Sequence, residues 1–296
     1  MTTIAAALKE AARRGAQVLT PSARDRAAAF LASRIAPTGG VRGRGAGADL
    51  YYTVFGLGAL AALGRPEPPA RQAPFAAGFG DGGTLDLVHR CSLVRLLAAA
   101  GASARAGPCL ARLEECRADD GAYALVPGRP AGTVTLAFLV WLARDDLGAG
   151  PPPRPDDLAR ALARARAGDG SFADAAGLGA GMLPATAAAA MMRRRLGVPD
   201  AGRAEDWIEA RFDGRGFRAG ARAPAPDLLS TAVGLAALRD AGRDAARYAA
   251  AAVDFVEDCA RDDGGFAGHA ADAAADAEYT WYALLALGAV AGEAAA

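Results

Sequence analysis

RDDGGFAGHAADAAADAEYTWYALLALGAVAG, from Arg261 to Gly292, is the clearest copy of a unit that recurs through this chain. It begins with a glycine turn, continues through a short polar segment and ends in an apolar stretch of helical length. Asp276 precedes Thr280 by four residues and can cap this helix, because a carboxylate accepts hydrogen bonds from free N–H groups of a first turn. Gly292 stands where a glycine can end the helix. The stretch therefore predicts a turn followed by a capped apolar helix.

The same layout occurs six times when Thr280 is taken as the anchor position. The other anchors are Thr53, Arg90, Thr135, Thr186 and Thr231. An aspartate precedes the anchor by four residues at Asp49, Asp86, Asp227 and Asp276. Turns of the DGxF type begin at Asp120, Asp169, Asp213 and Asp263. Anchors spaced roughly 40 to 50 residues apart are typical of repeats built from a pair of helices.

Two kinds of helix alternate in these repeats. Helices that are apolar nearly all round are predicted to be inner helices, at Val54–Leu63, Leu136–Leu142, Ala232–Leu238 and Trp281–Leu287. Amphipathic helices are predicted to lie outside, at Ala27–Arg34, Leu110–Arg117, Asp156–Arg166, Ala204–Arg211 and Ala245–Arg261. A further amphipathic helix is expected within Thr2–Leu19. The proline-rich stretches Arg65–Pro74 and Gly148–Pro155 are interpreted as loops between repeats.

Inner and outer helices in alternation allow two architectures. An open α-solenoid exposes both ends and needs polar capping repeats, whereas a closed ring of helix pairs needs none. The last repeat is the most apolar and is no polar cap. We therefore predict an all-α, α/α-toroid fold (an α6/α6 barrel) as a single domain over residues 1–296, with an extra N-terminal helix in 1–20 and repeats over about 21–296.

Composition excludes several classes of protein. The chain has 33 basic and 33 acidic residues and no net charge, which argues against a nucleic-acid partner. Its four cysteines form no CxxC pair and are expected to be free buried thiols. The beginning lacks the apolar run of a signal peptide, and the apolar stretch Leu50–Gly64 is too short to span a bilayer. A soluble, cytoplasmic protein without a membrane span is expected.

The turn followed by D-x-x-Y-T-x-x-A-L resembles the prenyltransferase and squalene-oxidase repeat, which occurs in protein prenyltransferase β subunits and class II terpene cyclases. The matching pieces are Gly39–Thr53, Arg211–Phe217, Pro226–Leu238 and Asp262–Thr280, and the resemblance extends from about Arg34 onward. It implies inner helices around a central cavity that holds an isoprenoid chain, with functional residues near the inner-helix starts. The glutamine that usually begins the turn is replaced here by Arg117, Arg166 and Arg211.

The zinc ligands that the resemblance implies are largely missing. Protein prenyltransferases carry Asp, Cys and His at positions that correspond here to Asp227, Leu229 and Tyr279. Zinc prefers Cys and His at such sites, and leucine cannot bind it. We therefore expect no metal site and no resident cofactor, and magnesium would enter only together with a diphosphate.

The acidic motif of class II cyclases, D-x-D-D, supplies an aspartate that protonates an alkene. Asp227–Ser230 lacks this acid, whereas Asp276–Tyr279 carries Glu278 at the right spacing. Asp276, Glu278 and Tyr279 are thus the catalytic candidates, with one carboxyl of the pair raised in pKa to act as an acid. The alternative is that Asp276 only caps the helix and Glu278 favours its positive end.

His89 and Arg90 replace the Tyr-Thr pair found at other anchors. If several helix starts converge, their dipoles favour an anion, and Arg90 could bind a diphosphate. The alternative is an ion pair between Arg90 and Asp86. The complete set of predicted substrate-binding residues is Asp49, Tyr52, Asp86, His89, Arg90, Asp227 and Trp281.

Aromatic side chains near the helix starts could line the cavity and stabilise cations through their ring faces. They are Tyr51, Tyr52, Phe138, Trp141, Tyr279, Trp281 and Tyr282. The alternative is that they belong to the ordinary core. We expect an isoprenoid-handling protein of the prenyltransferase β-subunit or terpene cyclase type, whose partner is an isoprenoid or another apolar small molecule. The alternatives are a non-catalytic ligand-binding or scaffold toroid, and a β-like subunit that needs a helical partner subunit.

Overall fold

The computed structural model describes residues 2–198 and 203–292, so residues 1, 199–202 and 293–296 of the predicted domain lie outside the described part. Its helices are α1 (Ile4–Val18), α2 (Pro21–Ser33), α3 (Leu50–Ala62), α4 (Pro69–Ala77), α5 (Leu87–Ala99), α6 (Ser103–Glu114), α7 (Val134–Asp146), α8 (Pro155–Ala165), α9 (Leu183–Arg195), α10 (Arg203–Glu209), α11 (Leu228–Asp240), α12 (Ala249–Cys259) and α13 (Ala277–Val290). Strands β1 (Val41–Arg42) and β2 (Ala48–Asp49) form an antiparallel hairpin, and a 3₁₀ helix spans Ala245–Tyr248. Within the described ranges, no helix is both long enough and apolar enough to cross a membrane.

The chain divides into two compact units. The first contains Met1–Ala6, Pro37–Gly40 and Pro68–Trp207, and in it α5 packs against α7 and α7 against α9. The second contains Ala7–Ala36, Val41–Glu67 and Ile208–Ala296, and in it α13 packs against both α3 and α11. In each unit the predicted inner helices form the core and the amphipathic helices pack on them.

The predicted helix caps are confirmed. Each of the four aspartates accepts a hydrogen bond from the N–H three residues later and begins an inner helix: Asp49, Asp86, Asp227 and Asp276. At the other end, a glycine with positive φ follows the helix at Gly64, Gly101, Gly148, Gly197 and Gly242. Helix α13 differs, because Ala291 ends it in an extended conformation and Gly292 has no positive φ.

Where an inner helix has a threonine at its anchor position, that threonine ties the helix to the turn before it. The hydroxyl of Thr231 accepts a hydrogen bond from the Phe217 N–H over 2.9 Å. Thr280 accepts in the same way from Phe266, over 3.3 Å. Both threonines are fully buried. The recurrence of threonine at this position therefore has a structural cause, which is to pair a backbone N–H that water cannot reach.

Replacing Thr231 by valine is expected to lower the free energy of unfolding by about 1–3 kcal/mol, because the Phe217 N–H loses its buried partner while side-chain shape is kept. Chemical denaturation followed by circular dichroism measures this loss. Thr135→Val is the matched control, since Thr135 is exposed, and should change stability by no more than about 0.5 kcal/mol. Equal losses in the two variants would contradict the anchor role.

The predicted anchor of the third repeat was wrong by two residues. Helix α7 is capped by Thr133, whose N–H donates to the Tyr123 carbonyl just as that of Asp276 donates to the Phe266 carbonyl. The residue equivalent to Thr280 is therefore Ala137, not Thr135. Thr135 was mistaken for the anchor because this repeat uses a threonine as its cap and has no hydroxyl at its true anchor position.

The interpretation of Arg65–Pro74 as a loop was also wrong in part. Helix α4 begins at Pro69, a position where proline's fixed φ and missing N–H suit a helix, and it continues through Pro74. The prediction for Gly148–Pro155 is confirmed up to Pro155, which begins α8.

Arginine stands where glutamine is expected at the start of the turns, and it stabilises the turn through contacts with the turn's aromatic ring and carbonyl. The Arg117 guanidinium lies 4.5 Å from the centre of the Tyr123 ring and donates to the Gly121 carbonyl over 3.0 Å. Arg166 lies over the Phe172 ring in the same way, at 5.8 Å. A planar cation can stack on an aromatic ring and bind a turn carbonyl at the same time, so the substitution keeps the turn closed.

Two glycines allow α1 to press directly on α13. A Cβ atom at Gly288 would lie 1.6 Å from the Ala11 carbonyl oxygen, and one at Gly15 would lie 1.8 Å from the Leu284 carbonyl oxygen. Such distances mean that the two backbones touch, which only glycine permits. The second half of α13, residues 283–290, is buried, whereas its first turns carry partly exposed side chains.

Candidate functional site

The candidate site lies in the second unit, on the first turns of α3, α11 and α13. Each of these helices has partly exposed side chains four residues apart near its start: Tyr51 and Phe55, Leu229 and Val233, Glu278 and Tyr282. Residues four apart share one face of a helix. Each of the three helices therefore presents one partly exposed, mainly apolar face near its start.

Five aromatic side chains of α3 and α13 form a continuous group, which we call the aromatic cluster: Tyr51, Tyr52, Phe55, Tyr279 and Tyr282. Tyr51 and Phe55 meet edge to face with centroids 4.9 Å apart. Phe55 and Tyr282 join the two helices at 5.6 Å. The cluster places ring faces and edges around the start of α13, where a cationic group would be stabilised.

Glu278 lies beside this cluster. The Tyr51 hydroxyl donates a hydrogen bond to its Oε1 atom over 2.7 Å. Burial raises the pKa of the Glu278 carboxyl, and the nearby charge of Asp276 acts in the same direction. The Tyr51 hydrogen bond and the Arg44 charge oppose that rise in pKa without cancelling it. Glu278 is thus a carboxyl candidate whose surroundings favour the protonated form.

Asp276 is held differently from its neighbour. Its Oδ1 accepts from the Tyr279 N–H over 2.9 Å, and its Oδ2 accepts from the Nε of Arg44 over 2.8 Å. Asp276 is only 1% exposed. Arg44 also binds Asp272 over 2.6 Å and lies 5.6 Å from the centre of the Tyr279 ring. Asp276 is therefore the helix cap and the ion-pair partner of Arg44.

Replacing Arg44 by glutamine is expected to lower the free energy of unfolding by about 1–3 kcal/mol, because the buried carboxylate of Asp276 loses a charge-assisted hydrogen bond. Solvent screening of the partly exposed Arg44 keeps the loss below that of a fully buried pair. Thermal unfolding measures the effect. Arg13→Gln, which removes an exposed ion pair with Glu10, should leave the unfolding temperature nearly unchanged. A similar loss in both variants would contradict this account.

Tyr52 and Tyr279 occupy equivalent places in the first and sixth repeats. Each ring packs on a glycine, Gly43 and Gly268 respectively, where a Cβ would approach ring atoms to 2.3 Å and 2.7 Å. Burial raises the pKa of both phenols. The glycines thus fix where these two predicted site residues stand.

Asp227 and Asp49 act first as caps. Asp227 accepts from both the backbone N–H and the hydroxyl of Ser230, each over 2.7 Å, and burial raises the pKa of its carboxyl. The zinc set implied by the resemblance does not fit here, because Leu229 offers no ligand atom beside Asp227 and Tyr279. Among residues 2–198 and 203–292, no group of three or more His, Cys, Asp or Glu side chains could hold a metal ion.

Trp281 faces the packing between α3 and α13. It is 8% exposed, and a Cβ at Gly58 would lie 3.2 Å from its ring. Its position matches the alternative of an ordinary core residue more closely than that of a substrate contact.

The remaining predicted residues belong to the first unit. Asp86 caps α5 and accepts from Nδ1 of His89 over 2.7 Å. Arg90 is 5% exposed, donates to the carbonyls of Gly83 and Leu85, and pairs with Glu115. In the second repeat the Arg90 guanidinium ties the inner helix to the loop before it, which is the role of the anchor threonine in other repeats. These bonds leave Arg90 poorly placed to receive a diphosphate.

Arg44 and Phe55 are the site residues that sequence reasoning missed. Arg44 lies in the glycine-rich hairpin between β1 and β2, and its partners Asp272 and Asp276 are more than 225 residues away. Phe55 stands four residues after Tyr51, so helical spacing is a signal that could have placed it in the cluster.

Comparisons with known proteins place the fold. No protein-family model and no curated protein matches the sequence. A protein from Actinoplanes matches with a TM-score of 0.66 and 19% identity, over 91% of this chain and 98% of that one. A variant of the type II terpene cyclase MstE from Scytonema, in complex with geranylgeranyl dihydroxybenzoate, matches with a TM-score of 0.60 and 16% identity, over 94% and 97%.

Candida albicans protein geranylgeranyltransferase-I complexed with GGPP matches with a TM-score of 0.61 and 12% identity, over 93% of this chain and 88% of that one. At such identities the likeness concerns the fold alone. The predicted fold class and the resemblance are thereby confirmed: the chain has the all-α, α/α-toroid fold of the prenyltransferase-like and terpene cyclase-like proteins.

Proposed function

We propose that this protein is an isoprenoid-handling enzyme of the class II terpene cyclase type. In this proposal, the partly exposed faces of α3, α11 and α13 line an apolar cavity for a prenyl chain, and Glu278 is the general acid. The observation that carries the proposal is the carboxyl of Glu278, raised in pKa and set beside five aromatic rings. A carboxyl whose pKa is raised by burial holds its proton to higher pH and is better suited to act as a general acid.

The proposed reaction starts with proton transfer from Glu278 to one carbon of an alkene. The π electrons of the double bond form the new C–H bond, a carbocation develops on the neighbouring carbon, and Glu278 becomes a carboxylate. Attack by further double bonds closes rings and moves the charge. Loss of a proton from the last cation then restores a neutral product and, in the end, the protonated acid.

The chain's own residues support each part of this reaction. Ring faces of the aromatic cluster can stabilise the cation. Asp276, fixed by Arg44, provides a negative charge near Glu278 that favours its protonated form. Leucine at position 229 argues against zinc-dependent prenyl transfer, so protonation is favoured over transfer as the chemistry of this site.

The substrate class follows from this chemistry together with the fold neighbours. The neighbouring structures hold geranylgeranyl dihydroxybenzoate in MstE and GGPP in the geranylgeranyltransferase. For this chain we propose a prenyl chain with a terminal alkene or epoxide. A helical partner subunit is a further proposal, and co-purification with such a partner would test it.

Incubation in D₂O with a panel of isoprenoids tests the function. The panel contains farnesyl diphosphate, geranylgeranyl diphosphate, squalene, its epoxide and a geranylgeranylated hydroxybenzoate. From the alkene substrates we expect a cyclic product with one non-exchangeable deuterium at the protonated carbon, because the acid proton exchanges with solvent before transfer. From the epoxide, whose oxygen takes the proton as its C–O bond opens, we expect a cyclic alcohol without this label. Release of diphosphate without deuterium incorporation would contradict acid-initiated cyclisation. Absence of any product and of any thermal shift across the panel would refute isoprenoid handling.

A further inference from the structure

The hydroxyl of Tyr51 is fixed against Glu278. It donates to Oε1 over 2.7 Å and so joins α3 to α13. Its ring is held edge to face by Phe55 at 4.9 Å and by Tyr52 at 5.7 Å. Because two neighbouring rings pack against the Tyr51 side chain, its rotation is restricted and the hydrogen bond from its hydroxyl to Glu278 has a defined direction.

The distance between the two helices is fixed as well. The Trp281 ring packs over Gly58 so closely that a Cβ there would lie 3.2 Å from it. Gly58 and Trp281 lie on the same two helices, α3 and α13, as Tyr51 and Glu278. Packing between the helices therefore sets the separation that the hydrogen bond spans.

A neutral carboxyl has two oxygens and one proton. Because Oε1 accepts from Tyr51, the proton of neutral Glu278 belongs on Oε2. Within residues 2–198 and 203–292, Tyr51 is the hydrogen-bond donor to this carboxyl, and its bond goes to Oε1. We propose that Tyr51 is a positioning residue that keeps the transferable proton of Glu278 on Oε2. This inference rests on the proposed function of Glu278 as the acid.

The groups that act on Glu278 come from three elements. Tyr51 and Tyr52 approach from α3, Asp276 and Tyr279 from the start of α13, and Arg44 from the hairpin loop. Tyr51 is the one that donates a hydrogen bond, and a donor favours the carboxylate form. Removing it must therefore raise the pKa of Glu278 further, while a purely structural tyrosine would leave that pKa unchanged.

Tyr51→Phe, studied by infrared titration without substrate, tests the inference. The protonated C=O band of Glu278 is assigned by its absence in Glu278→Gln. In Tyr51→Phe we expect this band at higher frequency and its titration midpoint at higher pH. Tyr123→Phe is the matched control, since Tyr123 donates to Glu114 over 2.6 Å outside the site and should leave the band unchanged. An unchanged Glu278 titration in folded Tyr51→Phe would overturn the inference.

Turnover provides the second measurement. Tyr51→Phe should lower kcat about 10- to 100-fold with little change in KM, because the acid is misaligned, while activity persists to higher pH than in the unmodified protein. A normal kcat with an unmoved pH profile would overturn the positioning role. A shifted infrared titration in a protein that turns over no isoprenoid would refute the proposed function and leave the Tyr51–Glu278 interaction established.

Discussion

Replacing Gly288 by alanine is expected to lower the free energy of unfolding by about 4 kcal/mol or more, or to prevent folding altogether. The new Cβ would lie 1.6 Å from the Ala11 carbonyl oxygen, a distance that no side-chain movement can relieve because both groups are backbone-fixed. Helix α1 would have to move away from α13 and would expose the apolar surface that the two helices share.

Chemical denaturation of Gly288→Ala, with Gly15→Ala as the variant on the opposite side of the same contact, measures this effect. Gly107→Ala is the matched control, because Gly107 also lies inside a helix but has open space where a Cβ would stand. Alanine there should change the free energy of unfolding by no more than about 1 kcal/mol, because the gain in helix propensity opposes the contact of its Cβ with the ring of the following Pro108. A folded, equally stable Gly288→Ala protein would contradict the direct contact between α1 and α13.

Replacing Glu278 by glutamine is expected to reduce kcat by about 10²- to 10⁴-fold, the range that a general acid contributes. Glutamine keeps the size of the side chain and can still accept the Tyr51 hydrogen bond, but it cannot donate an acidic proton. Substrate binding, measured by thermal shift, should change little. Asp262→Asn, in the exposed turn before the same helix, is the control and should keep full activity. Unchanged turnover in Glu278→Gln would favour a non-catalytic ligand-binding protein.

The pH dependence has a defined sign. The acid must be protonated, and burial raises the pKa of Glu278 above the ordinary value of about 4.3. Activity is therefore expected to be flat at low pH and to fall as the pH rises through this raised pKa. The same shift also affects stability. Between the ordinary pKa and the raised pKa of Glu278, the unfolded chain loses the proton more readily than the folded protein, so the free energy of unfolding falls as the pH rises. Glu278→Gln should remove this part of the pH dependence of stability.

Local chemistry explains which parts of the fold could be predicted. Aspartate caps, helix-ending glycines and turn aromatics act through bonds within a few residues, so their patterns survive in the sequence. The anchor of the third repeat was predicted at the wrong residue because Thr133 replaces the usual aspartate cap and Ala137 carries no anchor hydroxyl. Helix α4 was not predicted because Pro74 lies inside it, and proline usually ends a helix.

The site could be predicted only in part for a different reason. Glu278 was found from its spacing to Asp276, which is local. Its hydrogen bond with Tyr51 and the ion pair of Asp276 with Arg44 join residues 227 and 232 positions apart, and no pattern in a single sequence encodes such pairs. The bonds of Arg90 are a further example: a cation at a helix start led to the prediction of a diphosphate site, and no sequence pattern indicated its bonds to the carbonyls of Gly83 and Leu85.

The contact of α1 with α13 also constrains the order in which the molecule can form. Arg14 bonds to the Gly288 carbonyl across 274 residues. At ~5–20 residues per second on the ribosome, the wait between the two helices lasts roughly 15–55 s. Throughout that wait, the alanine and glycine side of α1 has no surface to cover it. The contact between α1 and α13 therefore forms only after α13 has been synthesised, late in the folding of the chain.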